Sequence, residues 1–154
     1  MKLILVRHGE KSISGQLTDR GRWQVKKLAQ YLSDQKITTI FCSDAERCVE
    51  TLEEIIKERE EITDIRLSQL VGLKTKSEDY NELNKRVGRF VEDLYLEFAD
   101  DDAIMVVSHN LPIKMFVYYL AKEEAKIDEA SVTIFEITEK SATKILVNET
   151  GFLG

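Results

Sequence analysis

The chain has only two histidines among its 154 residues, His8 and His109, and each stands just past an apolar run. Leu3-Ile4-Leu5-Val6 leads through Arg7 into His8, Gly9 and Glu10, and Ala103-Ile104-Met105-Val106-Val107 leads through Ser108 into His109. A histidine beyond the carboxyl end of each of two buried strands lies where open α/β sheets place their ligand crevice. An unprotonated imidazole nitrogen is a nucleophile toward phosphorus, giving a phosphoimidazole that water then hydrolyses. The charge of a transferring phosphoryl group sits on its peripheral oxygens. Such a site therefore needs fixed positive groups, and the planar fork of arginine binds two oxygens at once. Arg7 beside His8, and Arg47 in the first turns of a predicted helix whose N-terminus also attracts anions, answer that need. Gly9 is expected to let the backbone turn tightly after His8 and approach a ligand. Taken singly, each of these residues reads as an ordinary loop or helix-face residue; taken together, two histidines and two arginines so placed point to a site.

The elements that position them follow from hydropathy. Runs rich in Ile, Val, Leu, Thr and Phe predict strands over 2–7, 37–42, 103–108, 132–137 and 143–147, the last two joined as a hairpin through Glu139 to Ala142. Helical stripes run through Val25, Leu28, Ala29 and Leu32, through Cys48, Val49, Leu52, Ile55 and Ile56, and through Leu83, Val87, Phe90, Val91, Leu94 and Phe98. A fourth helix over about 111–121 is apolar nearly all round and is expected to be buried, with Pro112 in its first turn, where a missing N–H costs little. Ser43-Asp44-Ala45-Glu46 has capping-box form, so Ser43 is expected to cap a helix and Glu46 to reach back. With no repeat or linker, residues 1–154 read as one βαβ-type domain with a largely parallel sheet.

Composition narrows the partners. A formal net charge of −6 without a basic block argues against nucleic acid or a membrane surface, so an anionic substrate must be held by local arginines. Met1 to Val6 is too short for a signal segment and no run reaches membrane-spanning length, which predicts a cytoplasmic protein. Cys42 and Cys48 are too few for a disulfide framework and have no zinc-like spacing. They read as packing residues, the other reading being a redox pair with the Cys48 thiol activated at a helix start.

The motifs resemble those of the histidine phosphatase superfamily, also called phosphoglycerate-mutase-like, in its cytosolic branch. Leu5-Val6-Arg7-His8-Gly9-Glu10 looks like the family's Arg-His-Gly motif, and Leu17-Thr18-Asp19-Arg20-Gly21-Arg22-Trp23-Gln24 is similar to its Leu-Thr-x-x-Gly-x-x-Gln segment. Ser43 to Thr51 is similar to Ser-x-x-x-Arg-x-x-x-Thr, Val106-Val107-Ser108-His109 to the second-histidine motif, and Asn148-Glu149-Thr150 to a segment near the family's C-terminus. The resemblance implies a three-layer α/β/α sandwich with a mostly parallel central sheet. It implies His8 as the nucleophile and Arg7, Arg47 and His109 as the phosphate pocket, with His109 charged or donating a hydrogen bond. Gly9 and Asn110 would contact the substrate, and Ser108 and Asn110 otherwise read as turn and cap residues. Glu10 is expected to orient Arg7 or His8. This chemistry requires no metal or cofactor, and the substrate expected is a phosphorylated small molecule or phosphoprotein.

One departure bears on substrate. Many members carry a glutamate as general acid where this chain reads Arg66-Leu67-Ser68-Gln69-Leu70, and others use an acid after the second histidine, where this chain has Asn110. Glu78, Asp79 and Glu82 are the candidate substitutes; each otherwise reads as solvated loop or helix-start charge. The short chain and Ser108-His109-Asn110-Leu111-Pro112 also resemble the small phosphohistidine-phosphatase subgroup, whose substrate has a better leaving group than an alkoxide. The competing reading is a phosphate-binding or interaction module that kept the arginines and lost the acid. A phosphoglycerate-type mutase fits less well, because such enzymes are typically longer.

Overall fold

A computed structural model describes residues 1–154. Six strands, β1 (Lys2–Arg7), β2 (Thr39–Cys42), β3 (Asp64–Leu67), β4 (Ala103–Ser108), β5 (Val132–Thr138) and β6 (Ser141–Glu149), form one sheet in the order β3-β2-β4-β1-β5-β6. The first four run parallel, with Lys2 opposite Ala103 and Arg7 opposite Ser108, while β5 and β6 add an antiparallel hairpin beyond β1. Four helices connect or flank them: α1 (Asp19–Tyr31), α2 (Glu46–Ile56), α3 (Tyr80–Glu97) and α4 (Asn110–Ala121). None is long and apolar enough to cross a membrane.

The central strands are apolar on both faces, and their alternation sorts the core into two layers. Ile4, Val6, Met105, Val107, Val132 and Ile134 pack with Leu28 and Leu32 of the α1 region and with Cys48, Leu52 and Ile55 of α2. Leu3, Leu5, Ile104, Val106 and Phe135 pack on the other face with Val87 and Phe90 of α3 and Ile113 and Phe116 of α4. This is the three-layer α/β/α arrangement that the resemblance implies.

Three expectations need correction. β3 was absent from the hydropathy reading because it is a four-residue edge strand, half-buried at Asp64 and Arg66 and exposed at Ile65 and Leu67, the reverse of a core alternation. The helix over 111–121 buries only the face of Pro112, Ile113, Phe116 and Val117 and leaves Tyr118 half exposed. The capping box does not form. The α2 cap position is Ala45, with no side-chain cap, and Glu46 instead accepts from Gln16 Nε2 at 3.0 Å.

The chain after His8 is fastened to α1. Thr18 caps that helix through the Gly21 N–H, the Glu10 N–H donates to Gln24 Oε1 at 2.8 Å, and a Cβ on Gly21 would run into the Glu10 carbonyl. Gly21→Ala is therefore expected to lower stability by about 1–3 kcal/mol through overpacking, whereas on an open helix face it would raise it by about 1 kcal/mol. Urea unfolding measures this, and a raised midpoint would contradict the close approach.

Candidate active site

His8, Ser43 and His109 are the residues next after β1, β2 and β4, and backbone bonds prolong the sheet through two of them. The His8 N–H donates to the Ser108 carbonyl at 3.2 Å and the Ser43 N–H to the Val107 carbonyl at 3.0 Å. The His8 carbonyl accepts from the Ala130 N–H at 3.0 Å. The two imidazoles that follow β1 and β4 have ring centroids 5.3 Å apart at an interplanar angle of 68°.

His8 is 3% exposed. Its Nδ1 lies 2.7 Å from the Gly9 carbonyl, and a carbonyl only accepts, so Nδ1 carries the proton and Nε2 keeps its lone pair. Arg47 Nε donates to that nitrogen at 3.2 Å. Burial foremost, then the charges of Arg47, Arg7 and Lys11, lower the His8 pKa to about 4, against the opposing pull of the Gly9 carbonyl. His109, 1% exposed, is lowered to about 3 by burial and by His8, Arg47, Arg7 and Arg86. Its Nδ1 lies 3.3 Å from Arg47 Nη2 and its Nε2 2.8 Å from Ser43 Oγ. Burial and the Arg47 donor both favour the neutral form of the His109 ring.

Arg47, the second residue of α2, reaches both imidazoles. Arg7 closes β1; its Nη1 donates to the Ile127 carbonyl at 2.6 Å, while its Nε is buried with no partner. Burial lowers its pKa, an effect offset in part by Glu129 and Asp128 and reinforced by Arg47. A buried guanidinium N–H without an acceptor costs more than an unmade bond in water, so an anionic oxygen beside it would be strongly held.

Several expected residues do other work. The Gly9 N–H goes to Thr51 Oγ1 at 3.3 Å, and a Cβ there would meet the Gly21 carbonyl at 2.8 Å, so the missing side chain of Gly9 serves the approach of α1. Glu10 orients neither Arg7 nor His8: it accepts from Thr18 Oγ1 at 2.8 Å and lies 3.7 Å from Arg20 Nε. Ser108 Oγ donates to the Val71 carbonyl at 2.5 Å, tying β4 to the short 3-10 turn over Gln69–Val71. Asn110 opens α4 with its Oδ1 buried and unpartnered.

The three candidate acids sit before or on α3, and Glu78 and Asp79 are engaged by other groups. Both oxygens of Glu78 take Arg86, at 2.8 and 2.9 Å, and the guanidinium holds that carboxyl below the usual carboxylate range. The solvated reading of Glu78 also fails, since this pair is largely buried and Arg86 Nη1 further holds the carbonyls of Gln69, Leu70 and Gly72. Asp79 caps α3 through the Glu82 N–H, and Glu82 is an exposed first-turn residue. Gln69 is exposed at the carboxyl end of β3. Both cysteines are buried free thiols. The Cys48 pKa is pushed up to about 12, burial outweighing the Ser43 hydrogen bond and Arg47, so the packing reading stands and the activated thiol does not. No group of three or more His, Cys, Asp or Glu side chains is gathered where it could hold a metal ion.

Sequence reasoning missed the partners of the site. Ser43 reads as a cap in the sequence, Thr51 and Asn148 stand in recognised motifs without an assigned partner, and the Ile127 carbonyl and Asp128 carry no local signal. Asn148, at φ 55°, accepts from the Asp128 N–H at 2.7 Å and donates Nδ2 to its carboxylate at 2.9 Å, ordering the loop that holds Arg7.

The family model described as histidine phosphatase superfamily (branch 1) matches residues 3–74 and 71–150, and the chain belongs to that family. A Schizosaccharomyces pombe protein named as a probable phosphatase is 26% identical, over 90% of this chain and 88% of its own. Among solved structures, a candidate alpha-ribazole-5'-P phosphatase from Escherichia coli K-12 superposes with a TM-score of 0.86 at 21% identity, covering 99% of this chain and 98% of that one. A phosphoglycerate mutase from Bacillus anthracis does so with a TM-score of 0.83 at 16% identity, covering 99% and 94%. These likenesses show a phosphoglycerate-mutase-like fold.

Both imidazoles are held below the 6.5 of an ordinary histidine, so under that pH the unfolded chain binds protons that the folded chain refuses. The stability due to neutral burial is expected to be full above pH 6.5 and to fall as pH drops toward 4. Replacing both histidines with glutamine should flatten that part of the profile in urea unfolding. An unchanged slope would contradict two buried neutral rings.

Proposed function

We propose that this protein is a metal-independent phosphatase that hydrolyses a phosphomonoester or phosphohistidine through a covalent phosphohistidine on His8. The observation that carries the reading is the His8 Nδ1 contact with the Gly9 carbonyl, which leaves Nε2 unprotonated and facing Arg47. As Nε2 bonds to phosphorus and the bond to the leaving group breaks, positive charge grows on the ring; the Nδ1–H bond to that carbonyl stabilises it. Arg7, Arg47 and His109 hold the peripheral oxygens, which need charge stabilisation more than covalent assistance. Water then attacks phosphorus, the P–Nε2 bond breaks, its electron pair returns to the ring, and phosphate leaves carrying the oxygen and both protons of the water.

The engaged state of Glu78, Asp79 and the exposure of Glu82 support substrates whose leaving group needs no protein acid: a phosphoramidate or an aryl ester before an alkyl ester. The same observation favours one second reading, a phosphate-binding or interaction module that retains the arginines without turnover.

Turnover of para-nitrophenyl phosphate, a phosphohistidine peptide and a panel of sugar phosphates separates the two. His8→Ala is expected to lower activity on every hydrolysed substrate by at least about a thousandfold. Undiminished turnover in a pure variant would remove the nucleophile assignment, and phosphate binding without wild-type turnover would favour the module. Gln69→Glu is expected to raise turnover of alkyl phosphates by about 10²-fold, the contribution of a positioned acid, and to leave aryl phosphates unchanged. Equal effects on both would count against a missing acid.

A further inference from the structure

We infer that Ser43 is a positioning residue that lets His109 exchange one neutral tautomer for the other when a phosphoryl group arrives, an inference that rests on the proposed phosphate site. Ser43 is fully buried, its backbone is held to β4 by the bond to the Val107 carbonyl, and its Oγ lies 2.8 Å from His109 Nε2. The same oxygen accepts from the Ala45 N–H at 3.3 Å, which leaves it one lone pair and its own proton. Its other neighbour at the ring is the Cys48 thiol, whose sulfur is 3.6 Å from Nε2 and is a weak donor and acceptor.

The guanidinium sets the first tautomer. Arg47 Nη2 only donates, so at 3.3 Å from Nδ1 it requires a lone pair there, and the ring proton sits on Nε2, donated to Ser43 Oγ. A phosphoryl group reverses the demand. Its anionic oxygens outcompete two imidazole nitrogens for the Arg47 donors, and Nδ1 then faces an anionic oxygen, against which a lone pair is repelled and an N–H is attracted. A neutral ring meets that need by carrying its proton on Nδ1, which leaves Nε2 in want of a donor. The Ser43 hydroxyl turns from acceptor to donor by rotation about its C–O bond. Proton count is conserved: one proton is taken up at Nδ1 from water and the one at Nε2 is returned to water before the ligand seals the site. Burial of the ring, which opposes its charging, supports exchange between neutral forms over formation of an imidazolium.

The test is ¹⁵N NMR of the imidazoles with and without inorganic phosphate, helped by the presence of only two histidines. The expected result is a proton on Nε2 of His109 in the free protein and on Nδ1 alone in the phosphate complex. A doubly protonated His109 in the complex, or a proton that stays on Nε2, overturns the inference. Ser43→Ala should abolish the change of tautomer and lower kcat on para-nitrophenyl phosphate by about 10–100-fold, as loss of one buried hydrogen bond does, with KM much less affected. Ser43→Thr, which keeps the hydroxyl, should restore the change. Ser43→Ala with wild-type kcat and the Nδ1 proton intact also overturns it. Because the NMR arm needs bound phosphate and no turnover, it separates failure of this inference from failure of the proposed nucleophile.

Discussion

Arg47 places two donors of one guanidinium against two buried imidazoles, 3.2 Å from His8 Nε2 and 3.3 Å from His109 Nδ1. A cationic donor at that distance is compatible only with rings that offer lone pairs. Burial acts in the same direction, since a second charge beside the guanidinium in a dry site would go unsolvated. The neutral rings, the proton on His8 Nδ1, and the hydrogen bond of His109 to Ser43 all follow from this one constraint. Its consequence for the proposed reaction is a His8 Nε2 lone pair left available for attack.

The scaffold around that constraint is tied together at the strand ends. His8, Ser43 and His109 hang directly on three neighbouring parallel strands whose side chains are buried between two helical layers. Ser108 binds the end of β4 to the turn after β3, and Arg86 collects the carbonyls of that turn while pairing with Glu78. The turn after β3 is thereby held by arginine and backbone. In the proposed phosphatase, substrate preference depends on the leaving group as much as on what the arginines attract.

The parts legible in the sequence were those that local pattern dictates. Apolar runs ending at Arg7 and Ser108 gave the two central strands at their observed limits, and the stripe from Leu83 to Leu94 is the buried face of α3. β3 escaped because an edge strand with Asp64 and Arg66 has no hydrophobic run to recognise. The capping box at Ser43 was a sound local inference overridden by a tertiary partner 66 positions away, His109. Glu78 looked like loop charge because its partner, Arg86, lies two turns into the next helix, beyond the range at which neighbours on a helix advertise themselves. The histidines and arginines were visible as residue types at strand and helix ends; the proton on each ring was not, since carbonyl and hydroxyl partners fix it in three dimensions.

The most direct measurement is to quench the protein during turnover of para-nitrophenyl phosphate and locate bound phosphate by mass spectrometry under alkaline conditions, where phosphoimidazole survives. One phosphate is expected, on His8, absent from His8→Ala and lost on exposure to acid. Phosphate on another residue, or steady turnover with none ever trapped on His8, would contradict it.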